Sequence, residues 1–207
     1  SIIIMKKINL IIYGATGSIG KSVLSIVRSN REKFNIQGIT CNKNYRDLIK
    51  IAKEFNVKNL GINKEIKSAV KEINKYNVYE DICSFHKIYN NKTDIIIFAI
   101  SGLAGLDLFH MLCKSGKTIG MANKECIISL GKNLSKLVKK NCSVIIPLDS
   151  EHNSIFHLLN NDYGSFNSIT ITATGGPFRN LPLKSFNNVS VKQALSHPIW
   201  KMGKKFL

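Results

Sequence analysis

The chain has 207 residues, with 30 Lys and Arg against 13 Asp and Glu and a formal net charge of +17 at pH 7. At 44% hydrophobic and 21% charged residues, its composition excludes a disordered, collagen-like or low-complexity chain, which would carry too little apolar surface to offset chain entropy. No apolar run approaches the roughly 20 residues of a membrane-spanning helix.

Ile2–Ile4 is a short apolar tip before Lys6 and Lys7. It lacks the long apolar core and cleavage site of a signal peptide, so it leads into the first strand or is a leader remnant. Ile8–Tyr13 is a compact apolar run ending at Gly14 and reads as a buried strand. Ser18 is the expected cap of a helix carrying Ile19, Val23, Leu24 and Val27. A second strand, Ile36–Thr40, precedes a helix over Tyr45–Phe55 with Leu48, Ile49, Ala52 and Phe55 on one face. Val57–Ile62 reads as a third strand and Glu65–Ile73 as a helix. The fourth strand, Asp94–Ile100, is strongly apolar, and a helix over Leu103–Cys113 stops near Gly116. Lys117–Met121 is a fifth strand, helical stretches run to about Lys140, and Ser143–Ile146 is a sixth strand. Ser150–Leu159 then reads as a short helix and Ser168–Thr172 as a strand.

Strands alternating with helices require parallel crossovers, so the expected fold is α/β: a doubly wound, mostly parallel Rossmann-like sheet. The alternation ends near Pro147. Residues 1–146 are therefore expected to form one domain, and 147–207 the first part of an α+β domain. The cysteines, at 41, 83, 113, 126 and 142, contain no C-x-x-C pair and read as buried free thiols. The lysines are dispersed, with no block interleaved with aromatics, so solvated basic faces are a better reading than a nucleic-acid site.

Gly14-Ala15-Thr16-Gly17-Ser18-Ile19-Gly20 lies between the first strand and the first helix. Glycines there let the backbone turn tightly and approach a pyrophosphate, and a helix N-terminus offers free N–H groups to the anion. The second strand leads into Cys41-Asn42-Lys43-Asn44, with no acid before Asp47. A carboxylate would suit the ribose hydroxyls of NADH, whereas Lys43 suits the 2′-phosphate of NADPH, so NADPH is expected.

Asp149 and Glu151 follow a strand end with Ser150 between them. This pair offers hard oxygen ligands to Mg²⁺ or Mn²⁺, and it equally suits helix N-capping. Ala122-Asn123-Lys124-Glu125 follows the fifth strand at the same kind of edge. Thr174-Gly175-Gly176-Pro177 is a second glycine turn, and His197-Pro198-Ile199-Trp200 joins a titratable group to the single tryptophan.

In this order, GATGSIG at 14–20, Asn42-Lys43-Asn44, ANKE at 122–125, PLDSEHN at 147–153, TGGPFR at 174–179 and HPIWKMGKK at 197–205 resemble the 1-deoxy-D-xylulose 5-phosphate reductoisomerase family over nearly the whole chain. The resemblance implies a homodimeric enzyme with an NADPH domain, a catalytic domain and a C-terminal helical domain. Its substrate is a small phosphorylated sugar, 1-deoxy-D-xylulose 5-phosphate, which is isomerised and then reduced to 2-C-methyl-D-erythritol 4-phosphate for isoprenoid synthesis. It implies that Thr16, Gly17, Ser18 and Ile19 cradle NADPH, and that Asn42, Lys43 and Asn44 hold its adenosine phosphate end. Asn123, Glu125 and Gly203 match further cofactor contacts. Asp149 and Glu151 match ligands of Mn²⁺ or Mg²⁺, with Co²⁺ as another candidate. Lys124, Ser150, Glu151, Thr174 and His197 match substrate contacts, with Lys124 and Glu151 catalytic.

Thr174 stands where the family usually has Ser. The family's third metal-binding glutamate lies beyond Leu207, so this piece alone is expected to bind NADPH and to turn over poorly. The resemblance implies no nucleic-acid or membrane partner, and a bacterial cytoplasm or alternatively a plastid stroma. A semialdehyde-dehydrogenase-type oxidoreductase is the rival enzyme; it needs a catalytic cysteine, and Cys126 is the nearest candidate. A basic nucleic-acid-binding domain is the rival outside enzymes.

Overall fold

The computed structural model describes residues 6–159, 166–170 and 175–196. The elements in chain order are β1 (Ile8–Tyr13), α1 (Ser18–Ser29), β2 (Phe34–Thr40), α2 (Tyr45–Phe55), β3 (Asn59–Gly61), α3 (Lys64–Ala69), β4 (Asn77–Tyr79) and α4 (Ile82–Phe85). They continue with β5 (Ile95–Phe98), α5 (Leu106–Leu112), β6 (Thr118–Met121), α6 (Lys124–Leu130), α7 (Lys132–Lys140), β7 (Val144–Pro147) and α8 (Ser150–Leu159), and end with α9 (Val191–Leu195).

Seven strands form one sheet in the order β4-β3-β2-β1-β5-β6-β7. All six pairings are parallel. The expected doubly wound α/β fold is therefore present, and the strand order reverses between β1 and β5. That reversal opens a crevice at the carboxyl edge of the sheet, where such folds bind ligands.

The strand period of two explains the two cores. On β1, Leu10 and Ile12 point to one face, among Leu24 and Val27 of α1 and Leu48, Ile49 and Ala52 of α2. Ile11 and Tyr13 point to the other, among Phe85, Phe98 of β5 and Leu108, Phe109 and Leu112 of α5. A strand apolar on both faces must lie inside the sheet, and β1 is its central strand.

The structure departs from the sequence expectations in several places. The third strand is only Asn59–Gly61, and the expected helix over Glu65–Ile73 is α3 followed by a 3₁₀ turn over Lys71–Lys75. A seventh strand, β4, was not expected; its three residues carry little apolar signal and pair only with β3. Gly17, not Ser18, is the N-cap of α1, with no side-chain cap; Ser18 is the first helical residue. Ser168, Ile169 and Thr170 form no strand, and the rest of that expected strand lies outside the described residues. Cys41, Cys113 and Cys126 are buried, Cys83 is half-buried and Cys142 is exposed at φ 54°, so burial holds for only part of the set.

The chain divides into two compact units, 1–161 and 162–207. In the first unit β7 completes the sheet, and Asn153 of α8 donates its side-chain amide to the Pro147 carbonyl at 2.8 Å. In the second unit, a 3₁₀ helix over Leu183–Asn188 precedes α9, whose start is a reciprocal capping box between Ser190 and Gln193.

Tyr13 is wholly buried, edge-on to the Phe85 ring at 5.4 Å, and its hydroxyl has no hydrogen-bond partner among the described residues. Burial pushes the phenol's pKa up. An unpaired buried hydroxyl opposes folding, so Tyr13→Phe is expected to raise the unfolding free energy by about 1 kcal/mol in a urea titration. A less stable variant would mean that the hydroxyl is satisfied after all.

Candidate active site

At the carboxyl edge, a residue one or two past the end of six of the strands donates its backbone N–H to the last residue of the neighbouring strand. Ile62 N donates to Tyr79 O at 3.0 Å, Cys41 N to Gly61 O at 3.1 Å, and Ala15 N to Thr40 O at 2.9 Å. Ala99 N donates to Tyr13 O at 2.9 Å, Ala122 N to Phe98 O at 3.0 Å, and Leu148 N to Met121 O at 2.8 Å. The loops that carry the candidate residues thus start from one hydrogen-bonded row.

The first of these loops is built by sterics. Gly14 has φ +84°, and a Cβ there would meet the Ala99 carbonyl oxygen at 2.5 Å. A Cβ on Gly20 would meet the Gly14 carbonyl oxygen at 2.4 Å. Both glycines are required by the chain's own packing. Gly17 is different: a Cβ there would lie 3.4 Å from the Gly14 oxygen and otherwise face open space. The room beside Gly17, the N-cap of α1, is space the protein's own packing leaves unused. Thr40, buried at the end of β2, accepts the Gly14 N–H on Oγ1 at 3.0 Å. The sequence reading missed Thr40, because one polar residue ending an apolar strand gives no periodic signal.

Asn42, Lys43 and Asn44 follow β2 as exposed residues. Asn44 caps α2, its Oδ1 accepting Asp47 N at 3.3 Å while its Nδ2 donates to Asp47 Oδ2 at 2.8 Å. No carboxylate precedes Asp47 at the end of β2, as NADPH requires.

Asn123 is 2% exposed and its side chain is fully committed inside the protein. Its Nδ2 donates to the Ile100 and Gly102 carbonyls at 2.6 and 2.7 Å, and its Oδ1 accepts Cys126 N at 3.0 Å as the cap of α6. Asn123 therefore ties the loop after β5 to the start of α6. Lys124 and Glu125 open α6, with Glu125 in the first turn. Lys124 lies close enough to both Asp149 and Glu151 to lower their pKa values.

Asp149 performs the capping alternative: its Oδ1 accepts His152 N at 3.1 Å, and its Oδ2 pairs with His152 Nδ1 at 2.6 Å. Burial alone would push this carboxyl up. The hydrogen bonds from His152 and the charge of Lys124 outweigh it and hold Asp149 below the ordinary carboxylate value. Glu151 is held below its ordinary value by its own backbone N–H, by the Ser150 hydroxyl at 2.9 Å and by Lys124. Both groups are thus ionised hard-oxygen donors, as a divalent cation needs, and a carboxylate oxygen that accepts one hydrogen bond keeps capacity for a metal. The fit is that of a half-site. Among the described residues no three His, Cys, Asp or Glu side chains gather, so the remaining ligands must come from water, substrate or other residues.

Thr174, His197 and Gly203 lie outside the described residues. Cys126 is buried, its thiol pushed up by burial and directed at the Gly102 carbonyl at 3.7 Å. That setting does not make a nucleophile, which counts against the semialdehyde-dehydrogenase alternative.

A reversed parallel sheet with a glycine turn at its switch point defines a Rossmann-like α/β protein. The sequence model described as 1-deoxy-D-xylulose 5-phosphate reductoisomerase matches residues 10–131, and that of the family's C-terminal domain matches 145–207. The chain belongs to the 1-deoxy-D-xylulose 5-phosphate reductoisomerase family. It is 47% identical over 208 residues to the 1-deoxy-D-xylulose 5-phosphate reductoisomerase of Pelagibacter ubique (strain HTCC1062), covering 97% of this chain and 53% of the relative. The Zymomonas mobilis enzyme solved with NADPH superposes with a TM-score of 0.83 at 32% identity, over 93% of this chain and 52% of that one. A reductoisomerase solved with NADPH, fosmidomycin and magnesium gives 0.80 at 30% identity, over 95% and 52%. The chain spans about half the length of the curated relatives it matches.

Thr40→Val leaves the half-buried Gly14 N–H without its side-chain partner and is expected to cost about 1–2 kcal/mol of stability. Gly20→Ala is expected to cost at least about 2 kcal/mol by overpacking, and Gly17→Ala less than about 1 kcal/mol. Denaturant titration of the three variants checks the order, and equal losses for Gly17→Ala and Gly20→Ala would contradict the steric reading.

Proposed function

We propose that this chain is the cofactor-binding part and the beginning of the catalytic part of an NADPH- and divalent-metal-dependent enzyme. The enzyme converts 1-deoxy-D-xylulose 5-phosphate to 2-C-methyl-D-erythritol 4-phosphate for isoprenoid synthesis. One observation carries the reading. The glycine turn after β1, Lys124 after β6 and the Asp149–Glu151 pair after β7 leave the same edge of one parallel sheet, with only β5 and β6 between β1 and β7.

In this reading, residues 1–146 are the NADPH domain and 147–207 the start of the metal and substrate domain. Thr16, Gly17, Ser18 and Ile19 receive the pyrophosphate at the start of α1, while Asn42, Lys43 and Asn44 receive the adenosine phosphate end. Asn123 and Glu125 border the cofactor where α6 begins, and Gly203 completes its contacts. Asp149 and Glu151 hold Mg²⁺ or Mn²⁺, and Ser150, Glu151, Thr174 and His197 bind the sugar phosphate. When bound, the metal polarises the substrate's oxygens as a Lewis acid and the reduced nicotinamide supplies hydride. The protein's share is alignment and charge. Lys124 adds a cation where negative charge develops, and Asn123 fixes the two loops that flank the crevice. The full-length enzyme is a homodimer of a bacterial cytoplasm in this reading; the relatives it matches are bacterial.

Titrating the chain with NADPH, followed by nicotinamide fluorescence, tests the first half. Gly17→Ala is expected to fold normally and to weaken NADPH at least about tenfold, because a methyl enters the space left for phosphate. Mn²⁺ binding, followed by electron paramagnetic resonance, tests the second. Asp149→Asn and Glu151→Gln are each expected to abolish it while NADPH binding persists. Unchanged NADPH affinity in Gly17→Ala, or unchanged Mn²⁺ binding in both acid variants, would contradict the corresponding half.

A further inference from the structure

Lys21 follows Gly20 in the first turns of α1, and Asp47 stands in the first turn of α2. Their charges meet across the gap between the two helices, Lys21 Nζ lying 3.7 Å from Asp47 Oδ2. Lys50, one turn along α2, approaches Asp47 Oδ1 at 3.9 Å. The same carboxylate accepts Asn44 Nδ2 at 2.8 Å. Asp47 is thus one hydrogen bond from the loop that receives the adenosine end of the cofactor in the reading above. The cluster stands at one end of a groove of about 320 Å³ between α1 and α2, floored by Leu24 and Ile51 and lined further along by Arg28 and Glu54.

A carboxylate near the end of the second strand favours a ribose carrying a free 2′-hydroxyl and repels one carrying a 2′-phosphate. Asp47 is such a carboxylate, set back one helical turn. It brings the charge that would favour NADH, and the structure surrounds it with Lys21, Lys50 and the Asn44 amide. We infer that Lys21 is a cofactor-selectivity residue: by pairing with Asp47 it offsets the negative charge of that carboxylate beside the adenosine end and lets the chain prefer NADPH over NADH. The inference rests on the NADPH reading. It adds a residue from α1 to the Asn42-Lys43-Asn44 loop as a determinant of that preference, and gives Asp47 the opposing role.

Both side chains are accessible, with Lys21 59% and Asp47 35% exposed, so neither substitution opens the core. In Asp47→Asn the amide oxygen still accepts Asn44 Nδ2, and the cap on α2 uses the backbone N–H of residue 47. The test is titration of the 207-residue chain with NADPH and with NADH at low salt, for the parent, Lys21→Gln, Lys21→Arg and Asp47→Asn. Lys21→Gln is expected to weaken NADPH about three- to fivefold, with NADH changed less than about 1.5-fold. Asp47→Asn is expected to raise the NADPH-to-NADH preference by a similar factor, and Lys21→Arg to keep the parent's preference. The differences should shrink in about 0.5 M KCl, where exposed charges are screened. Opposite movements of the preference in Lys21→Gln and Asp47→Asn support the inference. A preference that stays fixed in both, or moves the same way in both, overturns it and leaves the NADPH reading standing. A parent chain that binds neither nucleotide overturns the NADPH reading and this inference with it.

Discussion

Six backbone hydrogen bonds along one edge of the sheet hold this structure's chemistry in place. Each joins a residue one or two beyond a strand to the last residue of the strand beside it, from Ile62 on Tyr79 to Leu148 on Met121. In a parallel sheet every strand delivers its following loop to the same edge, so functional groups far apart in sequence are gathered there without any direct contact. The extra row of bonds carries that order one or two residues into the loops. The first loop depends on it most. Its two required glycines remove the clashes with Ala99 and with the turn's own backbone, and Thr40 ties the turn to β2.

The same edge sets the electrostatics. The dinucleotide end offers helix N-termini and lysines, and the other end offers the one close pair of carboxylates that the site reading uses, with Lys124 between. Acids are scarce in a chain of charge +17, yet hydrogen bonds help to hold Asp149 and Glu151 below the ordinary carboxylate value, and the one from His152 N to Asp149 also starts α8. Capping and metal binding therefore need not compete as explanations of this pair.

Much of this was legible in the residues. The apolar runs of β1, β2 and β5 and the periodic face of α2 gave the doubly wound fold, because strands buried on both faces leave continuous apolar sequence. The glycine spacing marked the first turn, and Asp149 with Glu151 marked the far end of the edge. What was not legible depended on tertiary contact. β4 is three residues, Asn77, Val78 and Tyr79, at the sheet's margin, too short for a period to register. Thr40 looks ordinary in sequence, yet it ties the glycine turn to β2, and the part Asn123 plays in joining two loops shows only in the folded chain. Gly17 reads like its two neighbours in the motif, and only the space around it separates the glycine kept free from the two the fold demands. Asp47 reads as one more surface acid; its place between Lys21 and Asn44 exists only once α1 and α2 lie side by side on the sheet.

Distance from metal to nicotinamide is the quantity that tests the shared edge most directly. Proton resonances of NADPH bound to the chain can be followed as Mn²⁺ is added, since broadening falls steeply with separation from the ion. With the adenine lying toward β2 and the nicotinamide toward β6 and β7, the nicotinamide ring protons should broaden well before the adenine protons, and Asp149→Asn should remove the difference. Equal broadening at both ends, or stronger broadening at the adenine, would contradict a metal and a cofactor held side by side on one edge of the sheet.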